Sequence, residues 1–222
     1  MSSAGFRIRQ QFVRPEKELV EAFRGIPTSN IADCMNRSAC VDAAIIPFNK
    51  TPLLGCAFTV GTPGGDNLLF HKALDMALPG DILVIADGGC MARSCCGEIM
   101  ARYAMAKQLG GFVVDGCIRD ADAIAQLPFP VYARGVTPDG PFKNGPGEIG
   151  FPVCFAGRVI CPGDVLIGDG DGIVVVKAGE AHEISREAKE IALREKQILA
   201  NPLRMDRSWI DQTLEAKGCR YV

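Results

Sequence analysis

Residues 81–122 read DILVIADGGCMARSCCGEIMARYAMAKQLGGFVVDGCIRDAD. The opening Asp81 to Ala86 is a short, nearly continuous apolar run, the pattern of a strand buried on both faces. After Asp87-Gly88-Gly89 the spacing predicts a helix from about Cys96 to Leu109, and the pair Gly110-Gly111 suits its C-terminal cap. Phe112 to Asp115 predicts another buried strand. Strand, helix and strand in that order favour α/β layering over an all-β fold.

On the N-terminal side, Leu53 to Val60, bounded by Pro52 and Gly61-Thr62-Pro63-Gly64-Gly65, predicts a strand feeding a glycine-rich turn. Asp66 or Asn67 then caps a helix whose Phe70, Ala73, Leu74, Ala77 and Leu78 recur at helical spacing until Pro79-Gly80 ends it. Nearer the start, residues 15–24 predict a first helix, and Thr28-Ser29-Asn30 offers the N-cap of a second that runs to Met35. From Pro130 onward short strands are expected at 131–133, 153–155, 158–160 and 173–176. Residues 162–167 echo 79–85, which marks two similar turn-then-strand units. Residues 179–200 predict a charged amphipathic helix with Ile184, Ala188, Ile191 and Ile198 on one side, and the tail holds the single Trp209. No linker is long enough to divide the chain into separate domains.

The 222 residues are 48% hydrophobic and 23% charged with 25 Gly and 14 Pro, a globular composition rich in turns that excludes disorder, collagen and coiled coil. Lys plus Arg (24) against Asp plus Glu (26) is too balanced for the basic face of a nucleic-acid binder, so a small molecule or another protein is the expected partner. No stretch approaches the ~18 apolar residues needed to cross a bilayer, and MSSAGFRIRQQFVRPEKELV lacks the apolar core of a signal peptide. A cytoplasmic location follows as the expectation. The ten Cys would stay reduced there, most of them as small buried hydrophobes. Adjacent Cys95-Cys96 seldom bridge, and no nearby His supports a nucleophile.

A glycine-rich loop running from Gly88-Gly89 into a helix start leaves backbone N–H groups free to bind an anion. A helix and its return strand bring Arg119 and Asp120 near the N-terminus that holds Glu98. There Arg119 can fork onto a carboxylate, while Asp120 and Glu98 supply hard oxygen ligands for a divalent ion. Spacing alone also allows a plainer reading, with Glu98 complementing the helix dipole and Arg119-Asp120 forming a solvated turn.

Glu98, twenty intervening residues and then Arg119-Asp120, together with Gly65-Asp66-Asn67-Leu68 before His71-Lys72-Ala73-Leu74, carry a resemblance. The pattern resembles the family of the regulator of ribonuclease E activity A and the 4-hydroxy-4-methyl-2-oxoglutarate/4-carboxy-4-hydroxy-2-oxoadipate aldolases, from about Ile31 to Val176. The closing LEAKGCRYV at 214–222, after a charged helix, looks like the aldolase branch. The resemblance implies a swivelling β/β/α (RraA-like) fold, a layered sandwich of helices on mixed β-sheets. It also implies a single domain over 1–222, with a core at about 27–178 and a C-terminal helical extension at 179–222. Assembly as trimers or dimers of trimers is implied too, with the site between subunits.

The implied activity is that of a class II pyruvate aldolase dependent on Mg²⁺ or Mn²⁺, often with oxaloacetate decarboxylase activity. Carried over by position, amides of Gly97, Glu98, Ile99 and Met100 would hold the pyruvate carboxylate, and Arg119 would bind the pyruvyl oxygens. Asp120 would hold the ion, Glu98 would touch it or its water, and Asn67 and His71 would join the substrate-binding set. A Glu from the C-terminal helix of a neighbouring subunit would complete the metal site, Glu195 in preference to Glu190. Two departures stand out: the first acid of the pattern is usually Asp rather than Glu98, and an acid expected three residues after Asp120 is Ala123, with Asp122 one place early.

Retro-aldol chemistry must stabilise the enolate of pyruvate, and with no Lys marked for a Schiff base a divalent ion is the natural electron sink. Arg119 adds a fixed positive charge, a kind of contribution worth ~3 kcal/mol. A metal-bound water relayed through Glu98 is the candidate base for the C4 hydroxyl proton. His71 reads equally as an acid–base group or a structural histidine, His182 as plain surface, and Lys143 in PDGPFKNGPGE as a solvated lysine or a partner for a distal carboxylate. The alternative is a non-enzymatic regulator that binds a ribonuclease or helicase, which would not need the acid, Arg and Asp set. A methyltransferase is disfavoured because no strand runs into a G-x-G-x-G turn.

Overall fold

The computed structural model describes residues 4–220 and Val222. Residues 1–3 of the N-terminal stretch and Tyr221 of the closing LEAKGCRYV lie outside the described residues. In chain order the elements are β1 (Phe6–Ile8), α1 (Lys17–Glu21), α2 (Thr28–Cys34), β2 (Ile46–Pro47), β3 (Leu53–Gly61), α3 (Leu68–Met76), β4 (Asp81–Cys96), α4 (Glu98–Ala106), β5 (Gly111–Ile118) and α5 (Ala121–Ile124). There follow β6 (Val131–Val136), β7 (Gly147–Ile149), β8 (Val153–Phe155), β9 (Arg158–Ile160), β10 (Val165–Asp169), β11 (Gly172–Val176), α6 (Ala181–Ala200), a 3₁₀ turn (Pro202–Arg204) and α7 (Trp209–Ala216).

The heart of the sheet is four parallel strands, β3, β4, β5 and β6, with α3, α4 and α5 as successive crossovers. Antiparallel β10 joins the far side of β3 and carries β11, while β7 and β1 extend the sheet past the end of β3. β8 and β9 make a separate hairpin. Alternation along the strands assigns the layers. Phe58, Val60, Leu83, Ile85, Phe112 and Val114 point to one core, where Phe70, Leu74, Met100 and Ala104 of α3 and α4 cover them. Their neighbours Ala57, Ile82, Val84 and Val113 point to the other face, against Phe155, Ile160, Leu166 and Ile173. A slip of one residue would exchange the two faces, so both cores pin the register. Phe112 stands edge-on to Phe70 and Phe129, with centroids 4.9 and 5.0 Å away, contacts worth about 1 kcal/mol each beyond area burial. The outer face of β10 and β11 (Val165, Ile167, Val174, Val176) packs on Phe23 and Ile31, near α1 and in α2, and on Ala181 and Ala188 of α6. The result is the mixed, layered α/β fold expected.

Several local expectations need correction. Gly88-Gly89 do not form a loop entering a helix: β4 continues to Cys96. Ile85 faces Val114 and Cys96 faces Ile118, so residues 86–95 cover what 115–117 cover on β5. The surplus is taken up as bulges, with Gly88 and Gly89 at φ 68° and 76°. Helix α4 closes through Gln108 at φ 61°, two residues ahead of the expected glycine cap. Helix α2 is capped by no residue of its own start. Instead Asp169, at the end of β10, accepts the Thr28 N–H (2.9 Å) and its hydroxyl (2.8 Å). Asn67 occupies the N-cap position of α3, but the carboxylate that caps is Asp66, which accepts the Leu68 N–H at 2.9 Å.

The C-terminal helix forms as expected, yet only its first half packs: Ala181, Ser185 and Ala188 are buried, whereas residues 193–200, Ile198 among them, are exposed. All ten cysteines are free, four of them buried (Cys56, Cys95, Cys96, Cys117) and Cys40, Cys154 and Cys219 exposed. Among the described residues no helix is long and apolar enough to cross a membrane.

Candidate functional site

Because β4 and β5 are parallel neighbours, the residues that follow them emerge side by side. Cys96 faces Ile118, and the Arg119 N–H donates to the Cys96 carbonyl at 2.9 Å. Gly97 therefore lies against Arg119-Asp120. The meeting point lies at the carboxyl ends of these two parallel strands. The chain turns sharply there: Asp120 takes the left-handed conformation (φ 59°) at the head of α5. Its Oδ2 accepts the Glu98 N–H at 3.0 Å and lies 3.8 Å from Arg119 Nε. A Cβ at position 97 would stand 2.3 Å from that Oδ2 and 2.9 Å from Arg119 Cγ, so only glycine permits the approach.

These residues border a cavity of about 410 Å³. Gly97, Ile99 and Met100 line it from the start of α4, Arg119 and Asp120 from beyond β5, Asn67 and His71 from α3, and Lys143 from the stretch between β6 and β7. Glu98 is brought to the rim but not into the lining. Its Oε1 accepts from Arg102 Nε at 2.6 Å, one turn along α4, and its amide is taken by Asp120. With the Glu98 amide taken, the amides left at this helix start for an incoming carboxylate are those of Gly97, Ile99 and Met100. Glu195 lies elsewhere on the chain, in a groove between residues 25–30 and α6; Glu190 pairs with Arg194 at 3.5 Å, and His182 is exposed on α6.

Ser94, Cys95 and Cys96 also line the cavity, and nothing in the sequence singled them out for it. Burial pushes both thiols well above the usual range, which keeps them protonated and unreactive. Partial burial lowers the His71 pKa, and Lys143 lowers it further against the opposing pull of Asp75. Asn67 is 3% exposed. Its amide donates to the Cys95 carbonyl (2.9 Å), but its Oδ1 has no partner. That oxygen is itself shut off from solvent, a costly feature of the frame behind the cavity wall.

Asp120 is the single acid of the lining, its side chain 41% exposed, and among the described residues no three His, Cys, Asp or Glu gather as a closed metal cage. That donor set suits a hard ion of the Mg²⁺ kind, which keeps several waters and takes one or two carboxylates.

The RraA-like profile (Aldolase/RraA) matches residues 28–175. The chain belongs to the RraA-like family. A Halalkalibacterium halodurans relative, provisionally named 4-hydroxy-4-methyl-2-oxoglutarate aldolase, is 37% identical over 176 residues, covering 79% of this chain and 84% of that protein. A solved structure from Streptomyces coelicolor, described as an unusual member of the RNase ES inhibitor RraA protein family, is 27% identical with a TM-score of 0.74 over 84% of this chain and 98% of its own. An uncharacterized protein from Pseudomonas syringae pv. tomato shares the fold at 23% identity, with a TM-score of 0.79 over 88% of this chain and 93% of its own.

Proposed function

We propose that this RraA-like protein is a metal-dependent lyase that cleaves a 4-hydroxy-2-oxo acid, of the 4-hydroxy-4-methyl-2-oxoglutarate or 4-carboxy-4-hydroxy-2-oxoadipate type, into pyruvate and a second keto acid. The observation that carries the reading is the meeting of the Arg119 guanidinium, the Asp120 carboxylate and the α4 amides in one cavity. Asp120 would hold Mg²⁺ or Mn²⁺, which when bound supplies Lewis acidity toward the 2-oxo group. The Ile99 and Met100 amides bind the carboxylate next to that oxo group. As the C3–C4 bond breaks, the C4 hydroxyl gives its proton to a water in the cavity and Arg119 meets the negative charge that builds on the C2 oxygen, a contribution of about 3 kcal/mol; the enolate then takes a proton at C3 from water to leave as pyruvate. Asn67 stands in the wall of the same cavity, its amide held by the Cys95 carbonyl. His71 and Lys143, which line the same cavity, receive the distal carboxylate. Oxaloacetate loses CO₂ through the same pyruvate enolate, so its decarboxylation is expected as a side activity.

Ile99 (81% exposed) and Tyr103, one turn apart on α4, form an apolar pair beside the cavity, which supports assembly of copies as a trimer or a dimer of trimers across this face. In such an assembly a neighbouring copy would bring Glu195 of its exposed α6 half to the ion.

Release of pyruvate from the hydroxy-oxo acids in the presence of Mg²⁺, lost on adding EDTA, tests the reading. Asp120→Ala and Arg119→Ala should each lower kcat/KM by roughly 10³ while the thermal transition stays in place. Turnover near the original rate in either variant overturns the assignment. The likeness to RNase ES inhibitors supports a second reading, a non-enzymatic regulator. Absent turnover together with metal-independent binding to a ribonuclease would favour it.

A further inference from the structure

The cavity wall that carries Lys143 is residues 139–146, a stretch with almost no regular structure and with Pro141, Gly140, Gly145 and Pro146 in it. Its composition reads as a free surface loop. The structure instead ties it down at a buried carboxylate, Asp66, which is 3% exposed. Asp66 Oδ2 accepts the N–H groups of Asn144 (2.6 Å) and Gly145 (3.0 Å), while Oδ1 caps α3 through Leu68. Neutral bonds support the same strap: Phe142 N–H donates to the Gly65 carbonyl (2.8 Å), and Asn67 N–H donates to the Phe142 carbonyl (3.0 Å). Arg93 Nη1 donates to the Gly140 carbonyl at 2.9 Å, with its guanidinium 4.1 Å from the Phe142 ring centroid. Asp66 is the one ionisable acceptor in the set, and it joins the start of α3, which bears Asn67 and His71, to the wall that bears Lys143.

We propose that Asp66 is a positioning residue: it fixes residues 139–146 as a rigid wall, so that Lys143 is held ready for the second carboxylate of a dicarboxylic substrate. The inference rests on the reading of the cavity given above. A lysine on a loose loop would lose backbone as well as side-chain freedom on engaging its ligand, and a prearranged backbone removes the first of these costs.

The test uses the full chain with Asp66→Asn, which keeps one acceptor oxygen but places an amide where two charged-acceptor bonds were made. Hydrogen exchange at Asn144 and Gly145 should accelerate about tenfold or more, with the amides of β5 unaffected. With Mg²⁺ and 4-hydroxy-4-methyl-2-oxoglutarate, KM should rise about tenfold while kcat moves less than about threefold, and KM for 4-hydroxy-2-oxopentanoate, which lacks the second carboxylate, should rise far less. Arg93→Ala loosens the same stretch from Gly140 without touching Asp66, should give smaller changes of the same pattern, and keeps the test decisive if Asp66→Asn does not fold. Unchanged exchange at 144 and 145, or an equal rise in KM for both substrates, overturns the proposal. Failure of the lyase reading looks different: the unaltered protein releases no pyruvate from either compound, and exchange alone then decides for or against the strap.

Discussion

Two carboxylates in this protein are pressed against glycines, and their surroundings part them. A Cβ at Gly97 would stand 2.3 Å from Asp120 Oδ2, and one at Gly116 would stand 2.2 Å from Asp87 Oδ2. Each acid accepts one backbone N–H, from Glu98 at 3.0 Å and from Gly65 at 2.7 Å. Asp120, however, is 41% exposed and opens onto the cavity, whereas Asp87 is 1% exposed, with Oδ2 unpartnered. Burial pushes the Asp87 pKa up to about 6, a rise to which Asp115 and Asp66 add. Glycine brings an acid close to the backbone in both places. Exposure decides whether that acid is open to a ligand or locked into the frame.

Placing a methyl group at Gly97 should have the largest effect. In Gly97→Ala the neighbours that must give way are the side chains of Asp120 and Arg119, both of them part-exposed and neither of them backbone, so the fold survives while the carboxylate and the Glu98 amide separate. A displacement of this size next to reacting atoms lowers kcat/KM by about a hundredfold or more, with little change in the melting temperature. An active Gly97→Ala would break the comparison at its first term.

Asp87→Asn probes the second carboxylate through pH. An acid whose pKa rises on folding opposes the folded state once ionised. Native stability should therefore fall as pH climbs from about 4 to about 6 and level off above that. The Asn variant lacks this slope and should be more stable at pH 7 by up to about 3 kcal/mol, the advantage vanishing near pH 4. Denaturant unfolding of both proteins at the two pH values checks it, and a parallel pair of stability curves would refute the picture of a strained buried acid. Gly116→Ala acts on the same acid from the other side. There Asp87 is enclosed and the Cys90 carbonyl lies 3.1 Å from the added carbon, so the cost falls on stability, about 2 kcal/mol, rather than on turnover.

The same contrast explains what the sequence could tell. Residues 53–60, 81–86 and 112–115 read as strands because they are nearly continuous apolar runs, the mark of burial on both faces. Once two parallel neighbours are recognised, Gly97 and Arg119-Asp120 must emerge together. The pairing of Glu98 with Arg102 was also legible as an i,i+4 ion pair, and attention to that spacing would have turned the Glu98 carboxylate away from the cavity. The bulged path of 86–95 and the wall at 139–146 were not legible. Their shapes depend on Asp87 and Asp66 meeting N–H groups 22 and 78 or 79 residues away, contacts that leave no periodic trace in the chain.

Gly88 supplies the smallest and most discriminating change. It sits in the glycine pair that the sequence offered as the anion cradle, yet a Cβ there meets nothing within 4 Å, and its requirement is conformational, φ 68°. An alanine must hold that left-handed geometry at a cost of about 1 kcal/mol, with no neighbour displaced. Gly88→Ala should therefore lower the unfolding free energy by about this amount and leave kcat/KM within about twofold of the original, the opposite pattern to Gly97→Ala. If instead turnover dropped while stability held, the amides of the β4 bulge would be part of the binding surface, and the role given to the start of α4 would have to pass to them.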